Sequence, residues 1–149
     1  MKNWILFICS VSLFAACKEN PRQEAVRMKD FVYPSLPPER LQNLLQVCDY
    51  IDFVFFNTNF SMNQGERSSI EGTIRHIAAQ VPDIKAECKP IGHLFFQSEG
   101  QILLEADLYF TPGCVYYTFF ENGKPAYANE LTPEGVQFYN NIFSTYLKK

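Results

Sequence analysis

IGHLFFQSEG QILLEADLYF TPGCVYYTFF ENGKPAYANE, residues Ile91–Glu130, alternates short aromatic and β-branched runs with the turn dipeptides Glu99-Gly100, Pro112-Gly113 and Asn122-Gly123. Asn-Gly is the strongest two-residue hairpin signal, because both positions tolerate positive φ. The spacing predicts four strands, near residues 91–97, 101–110, 114–121 and 125–129, joined as an antiparallel meander.

Turn chemistry sets register, and register sorts side chains by face. A three-residue loop at Ser98-Glu99-Gly100 sets Phe96 opposite Ile102 and Leu94 opposite Leu104. Two-residue turns at Pro112-Gly113 and Asn122-Gly123 set Phe110 by Val115, Leu108 by Tyr117, Ala106 by Phe119, Phe119 by Ala126 and Tyr117 by Ala128. Nearly all of these are apolar, so this side is the expected core. The other side collects His93 facing Glu105, next to Asp107 and Thr118, flanked by Tyr109, Tyr116, Phe120 and Tyr127. A histidine beside a carboxylate exchanges protons near neutral pH, and tyrosines can stack a planar or sugar-like ligand. The bland alternative is a half-wet sheet face carrying no function. No motif supplies a nucleophile, a metal or an anion cradle beside the pair.

Working outward, helices are expected on both flanks. Ser35 ahead of Pro37 and Pro38 marks a helix start, and Leu41, Leu44, Leu45, Cys48, Ile51 and Phe55 recur at helical spacing. Asp49–Phe56, DYIDFVFF, has a composition that also suits a strand, but the unbroken 3.6-residue period favours one long helix. Residues 57–67 read as a polar connector. Ser68-Ser69-Ile70-Glu71 is a capping-box pattern, opening a second helix with Ile70, Ile74, Ile77, Ala78 and Val81 inward and a Glu71–Arg75 pair outward, ended by Pro82. His76 falls opposite Ile74, as a solvated histidine would. Thr132-Pro133-Glu134 starts a last helix with Val136, Tyr139, Ile142, Phe143 and Tyr146 on one side. Lys148 and Lys149 complement its C-terminal dipole. The expected class is therefore α+β: two N-terminal helices, a four-stranded antiparallel meander and a C-terminal helix, the helices covering one face of the sheet.

At the other end, Met1–Cys17, MKNWILFICSVSLFAAC, places a cation at Lys2 before an apolar run from Trp4 to Ala16 and then a cysteine. That order is a secretion signal, and the run is shorter than the roughly 20 apolar residues a spanning helix needs. Leu13-Phe14-Ala15-Ala16-Cys17 resembles the lipobox of bacterial lipoproteins, although Phe14 stands where that pattern prefers leucine. The resemblance covers only residues 1–17. It implies cleavage before Cys17, acylation of Cys17 and retention in the cell envelope, with Lys18 in place of the usual inner-membrane aspartate pointing to the outer membrane. The organisation expected is a signal peptide over 1–16, a flexible tether over 17–35 and one domain over 36–149.

Without its signal the chain keeps 133 residues, one domain's worth, with 12 basic against 16 acidic side chains. That balance offers no basic footprint for nucleic acid. Cys48, Cys88 and Cys114 then remain, an odd number for an oxidising compartment. Strand parity favours a Cys48–Cys88 disulfide, since Cys88 to Cys114 would bridge two strand spacings, about 9.6 Å. His76 and His93 are too few and too far apart for a zinc site, and no cofactor is expected. These readings together describe a membrane-tethered, non-enzymatic interaction domain. It would meet lipid through Cys17, and an envelope protein or glycan through His93, Glu105, Asp107, Tyr109, Tyr116, Thr118 and Tyr127. Two rivals are a small hydrolase-like enzyme using His93 and Glu105, and an accessory subunit of an envelope assembly.

Overall fold

A computed structural model describes residues 32–146. The signal peptide, Cys17, most of the tether and Lys148–Lys149 lie outside the described residues. Three helices, α1 (Pro38–Val47), α2 (Arg67–Arg75) and α3 (Pro133–Tyr146), accompany six strands: β1 (Tyr50–Phe55), β2 (Ser61–Gln64), β3 (Gly92–Ser98), β4 (Gln101–Thr111), β5 (Cys114–Glu121) and β6 (Lys124–Glu130). They form one antiparallel sheet in the order β2-β1-β3-β4-β5-β6. The α+β class and the four-strand meander match the sequence reading; the strand count does not.

The first correction concerns residues 49–56. The expected long helix stops at Val47, Cys48 turns extended, and the next residues form β1 between β2 and β3. Ile51, Phe53 and Phe55 are buried while Tyr50 and Val54 are exposed, a period of two. Cys48, Ile51 and Phe55 satisfy helical spacing by coincidence, because Ile51 and Phe55 are also same-face positions of a strand. Residues 61–64, inside the expected connector, supply the edge strand. The second helix is also shorter than expected: it begins after Glu66 without a side-chain cap and ends at Arg75. Ile77 then bridges to Leu131, and Val81, expected in the core, is exposed.

Leu44 of α1, Ile70 and Ile74 of α2, and Tyr139 and Ile142 of α3 share one core with Ile51, Phe53, Leu94, Phe96, Leu108, Tyr117 and Phe119 of the sheet. The helices thus cover one face. Arg67 joins α1 to α2 by donating to the carbonyls of Leu45 and Cys48 at the end of α1, and it pairs with Glu71 at 2.7 Å. At the start of α3, Thr132 Oγ1 accepts from Gly135 N. A Cβ on Gly135 would stand 2.8 Å from that of His76, so a glycine lets α3 approach the end of α2. His76 is accordingly not solvated: its ring lies 5.0 Å from that of Phe138.

Two bulges explain the register differences. Glu99 and Gly100 both have positive φ, giving a two-residue turn that pairs Ser98 with Gln101. A shift between Phe96 and Gln97 then sets Phe96 opposite Leu104 and Leu94 opposite Ala106. Beyond the bulge the net slip from expectation is two residues, which preserves the faces from Leu104 onward; Ile102, expected in the core opposite Phe96, instead pairs with Gln97 and is exposed. The β4–β5 register is as expected, with Phe110 by Val115, Leu108 by Tyr117 and Ala106 by Phe119. In β5–β6 a shift between Phe119 and Phe120 moves the partners by one, so Phe119 pairs with Tyr127 and Tyr117 with Asn129 rather than with Ala126 and Ala128. Pro125, which cannot donate to the ladder, sits beside this bulge.

The outer edge of β6 is covered. Ala128 N donates to Pro34 O, Glu130 N to Gln80 O, and Ala78 N to Glu130 O. Pro34, expected within the tether, is thereby fastened to the domain, and coverage of this kind protects a sheet from edge-to-edge association.

Candidate functional site

The sheet face away from the helices carries the histidine cluster. Antiparallel pairing of β3 with β4 sets His93 directly opposite Asp107 and Phe95 opposite Glu105. The imidazole lies between the two carboxylates: Nδ1 is 2.7 Å from Asp107 Oδ1 and Nε2 is 3.2 Å from Glu105 Oε2. The expected direct partner, Glu105, is thus the diagonal one, and the two-residue slip keeps both acids within reach. Phe95 and Phe120 flank the ring at 4.7 and 5.7 Å. His93 and Asp107 are half-buried, whereas the Glu105 side chain is 42% exposed.

The hydrogen bond to Asp107 raises the His93 pKa above 6.5; burial opposes this and Glu105 adds to it. An imidazolium in this position donates from both nitrogens, and neither is then free to accept a proton from a substrate. The arrangement is a charge-assisted clamp on two neighbouring strands. A general base needs an open nitrogen in reach of the reacting group.

The tyrosines divide. Tyr109 stacks on Tyr116 at 4.4 Å, and burial raises the pKa of its hydroxyl. Tyr116 and Thr118 are themselves buried, so Tyr109 is the ring of this group that reaches the surface. Burial pushes the Tyr116 hydroxyl up to about 12. Tyr127 is a correction: the β6 bulge puts it opposite Phe119 on the helix-covered side, where its hydroxyl approaches Glu121. Strand β1, unforeseen as a strand, contributes Asp52 opposite Phe95 and Val54 opposite His93. The alternation in Asp49–Phe56 was the signal for both.

The cysteine pairing is a second correction. Cys88 is bonded to Cys114, with Cα atoms 5.8 Å apart, and Cys48 is a buried free thiol. Parity failed because Cys88 precedes β3 in a turn closed by its own N–H on Lys85 O, where strand alternation does not apply.

Among the described residues no group of His, Cys, Asp or Glu could hold a metal ion, and no helix is long and apolar enough to cross a membrane. Comparison with protein-family models, curated proteins and solved structures finds no match to this chain.

The two histidines give opposite pH dependences. The folded value of His93 is raised, so its contribution is complete below 6.5 and fades as pH climbs through that raised value. The folded value of His76 is lowered by burial, so its cost appears as pH falls below 6.5. Denaturant titrations from about pH 5 to about pH 9 should show His93→Gln losing the acid-side gain and His76→Gln losing the acid-side penalty. Identical pH slopes for the two variants would contradict this assignment.

Proposed function

We propose that this chain is a membrane-anchored envelope lipoprotein whose domain is a non-enzymatic binding module, working through the open sheet face around His93. One observation carries the choice of binding over catalysis: both ring nitrogens of His93 are engaged by carboxylates, Asp107 at 2.7 Å and Glu105 at 3.2 Å. A group so occupied positions its neighbours and presents a fixed charge pattern. The surface it organises carries Asp52, Glu105 and Asp107 against one histidine, with Phe95, Tyr109 and Phe120 between them. Its negative balance favours a partner that brings basic or hydroxyl donors to the carboxylates while its apolar parts rest on the rings. The anchor at Cys17 would hold this face at the envelope.

The test is affinity capture from detergent-solubilised envelopes, comparing the native protein with Glu105→Lys and Tyr109→Ala. Both positions reach the surface, so the fold should survive, as a thermal melt would verify. The expected result is loss of the same specific partner or glycan from both variants. An unchanged bound set in both would overturn the assignment of this face. Failure of labelled palmitate to enter the native chain at Cys17 would separately overturn the anchor.

A further inference from the structure

On the opposite side of the sheet, at the end where β4 turns into β5, lies a cleft of about 600 Å³. Its walls come from Phe55, Ile91, Phe110, Val115, Val136 and Phe143, and none of its eleven lining residues is charged. Phe143 forms the aromatic side: its ring meets Phe55 edge-on at 5.3 Å and Phe110 at 5.4 Å. The polar side chains of the lining are Thr58, Thr111 and Asn140, and the Thr58 hydroxyl already serves Phe55 O and Phe60 N. Thr111 and Asn140 are exposed, so their hydroxyl and amide stand at the rim.

The volume falls within the range of small-molecule sites, which fix a ligand's orientation with a few placed polar groups. This cleft has such groups only at its margin. An ionised ligand inside it would be desolvated without a counter-charge, and a peptide would bring one N–H and one C=O per residue against walls that offer few partners. A hydrocarbon chain meets neither penalty. Each CH₂ removed from water there adds to the stability of the complex, and a polar head can remain at Thr111 and Asn140.

We propose that this cleft takes an acyl chain of a membrane glycerolipid, head outward. The place where the described chain begins supports that source. The described chain is fastened to the sheet by Pro34, whose carbonyl accepts from Ala128 N on β6, the neighbour of β5, and Val115 of β5 lines the cleft. The fifteen residues from Cys17 to Phe31 span at most about 50 Å, which keeps the cleft within reach of the bilayer. This step rests on the anchor reading; the chemistry of the cleft does not.

The experiment uses the full-length protein in cells fed a fatty acid carrying both a diazirine and an alkyne. Label on the Cys17 peptide without irradiation reports the anchor, so its failure is read separately. Irradiation should add label to peptides containing Phe55–Phe56, Phe110–Val115 and Val136–Phe143. Phe56→Asp, at a partly exposed lining position, should reduce that yield about five-fold while leaving the melting curve unchanged, because it places an unpaired carboxylate in the lipid's path. Cys17→Ser should keep the cleft adducts, since the occupant is a separate lipid. Three results would overturn the proposal: no irradiation-dependent label on the cleft peptides, a yield indifferent to Phe56→Asp, or adducts that vanish in Cys17→Ser, which would make the occupant the protein's own anchor.

Discussion

Replacing Asn129 with alanine is expected to destabilise the domain by about 3–5 kcal/mol, since it leaves several buried polar groups without partners at about 1–3 kcal/mol each. Asn129 is fully buried on the core side of β6. Its Oδ1 accepts from Leu36 N at 2.8 Å, while Nδ2 donates to Ala78 O at 2.7 Å and to Ser35 Oγ at 2.6 Å. One side chain thereby fastens three segments: the entry to α1, the chain leaving α2, and the last strand. Each of these also borders the covered edge of β6, through Pro34 and Gln80. Loss of the amide should therefore lower the melting midpoint by more than about 10 °C and speed hydrogen exchange at Leu36, Ala128 and Glu130 together. Asn129→Asp sharpens the test. It keeps the acceptor for Leu36 N but sets a carboxylate against Ala78 O, so burial raises its folded pKa above the unfolded value. The variant should then be least stable near neutral pH and recover as pH falls toward about 4, where a protonated carboxyl can donate. A cost under about 1 kcal/mol for Asn129→Ala would mean that water replaces the amide.

Asn129 also shows where sequence reasoning stopped. The turn at Asn122-Gly123 was legible, and both residues have the positive φ that such a turn requires. What the turn could not show was the bulge two pairs further on. One extra residue there exchanges the faces of Tyr127, Ala128 and Asn129, so an expected core alanine became the buried asparagine and an expected surface tyrosine moved under the helices. The β3–β4 bulge did less harm, because a slip of two leaves parity intact, and His93, Glu105 and Asp107 came together on the face assigned to them. Local rules therefore carried the cluster and lost Tyr127 for the same reason: parity survives even slips and fails on odd ones. The helix–strand ambiguity of Asp49–Phe56 has a different origin. Its apolar residues fit both periods, and tertiary position decided, since β1 fills the place between β2 and β3. Cys88 lay beyond any periodic argument because it stands in a turn.

Removing the Cys88–Cys114 bond should cost about 3–4 kcal/mol, the chain-entropy value for a closed loop of its size. The sequence separation is 26 residues, and the bond fastens a stretch that is tied at Gln80 to β6 and at Ile91 to Leu108 of β4. Cys114→Ser should accordingly lose most of that stability, and a reductant should bring the native protein down to the same level while leaving the variant unmoved. Cys48 provides the contrast. Its Sγ donates to Tyr50 O at 3.4 Å, and burial raises its pKa, so in the folded protein it is shielded from thiol reagents and becomes reactive on unfolding. Cys48→Ala removes a small buried side chain and one weak hydrogen bond, at about 1 kcal/mol, with the reductant effect fully retained. A Cys48–Cys88 pairing demands the reverse order: Cys114→Ser nearly silent, and Cys48→Ala as costly as reduction. The two pairings predict opposite rankings of the same two variants, so one pair of denaturation curves, each run with and without reductant, distinguishes them.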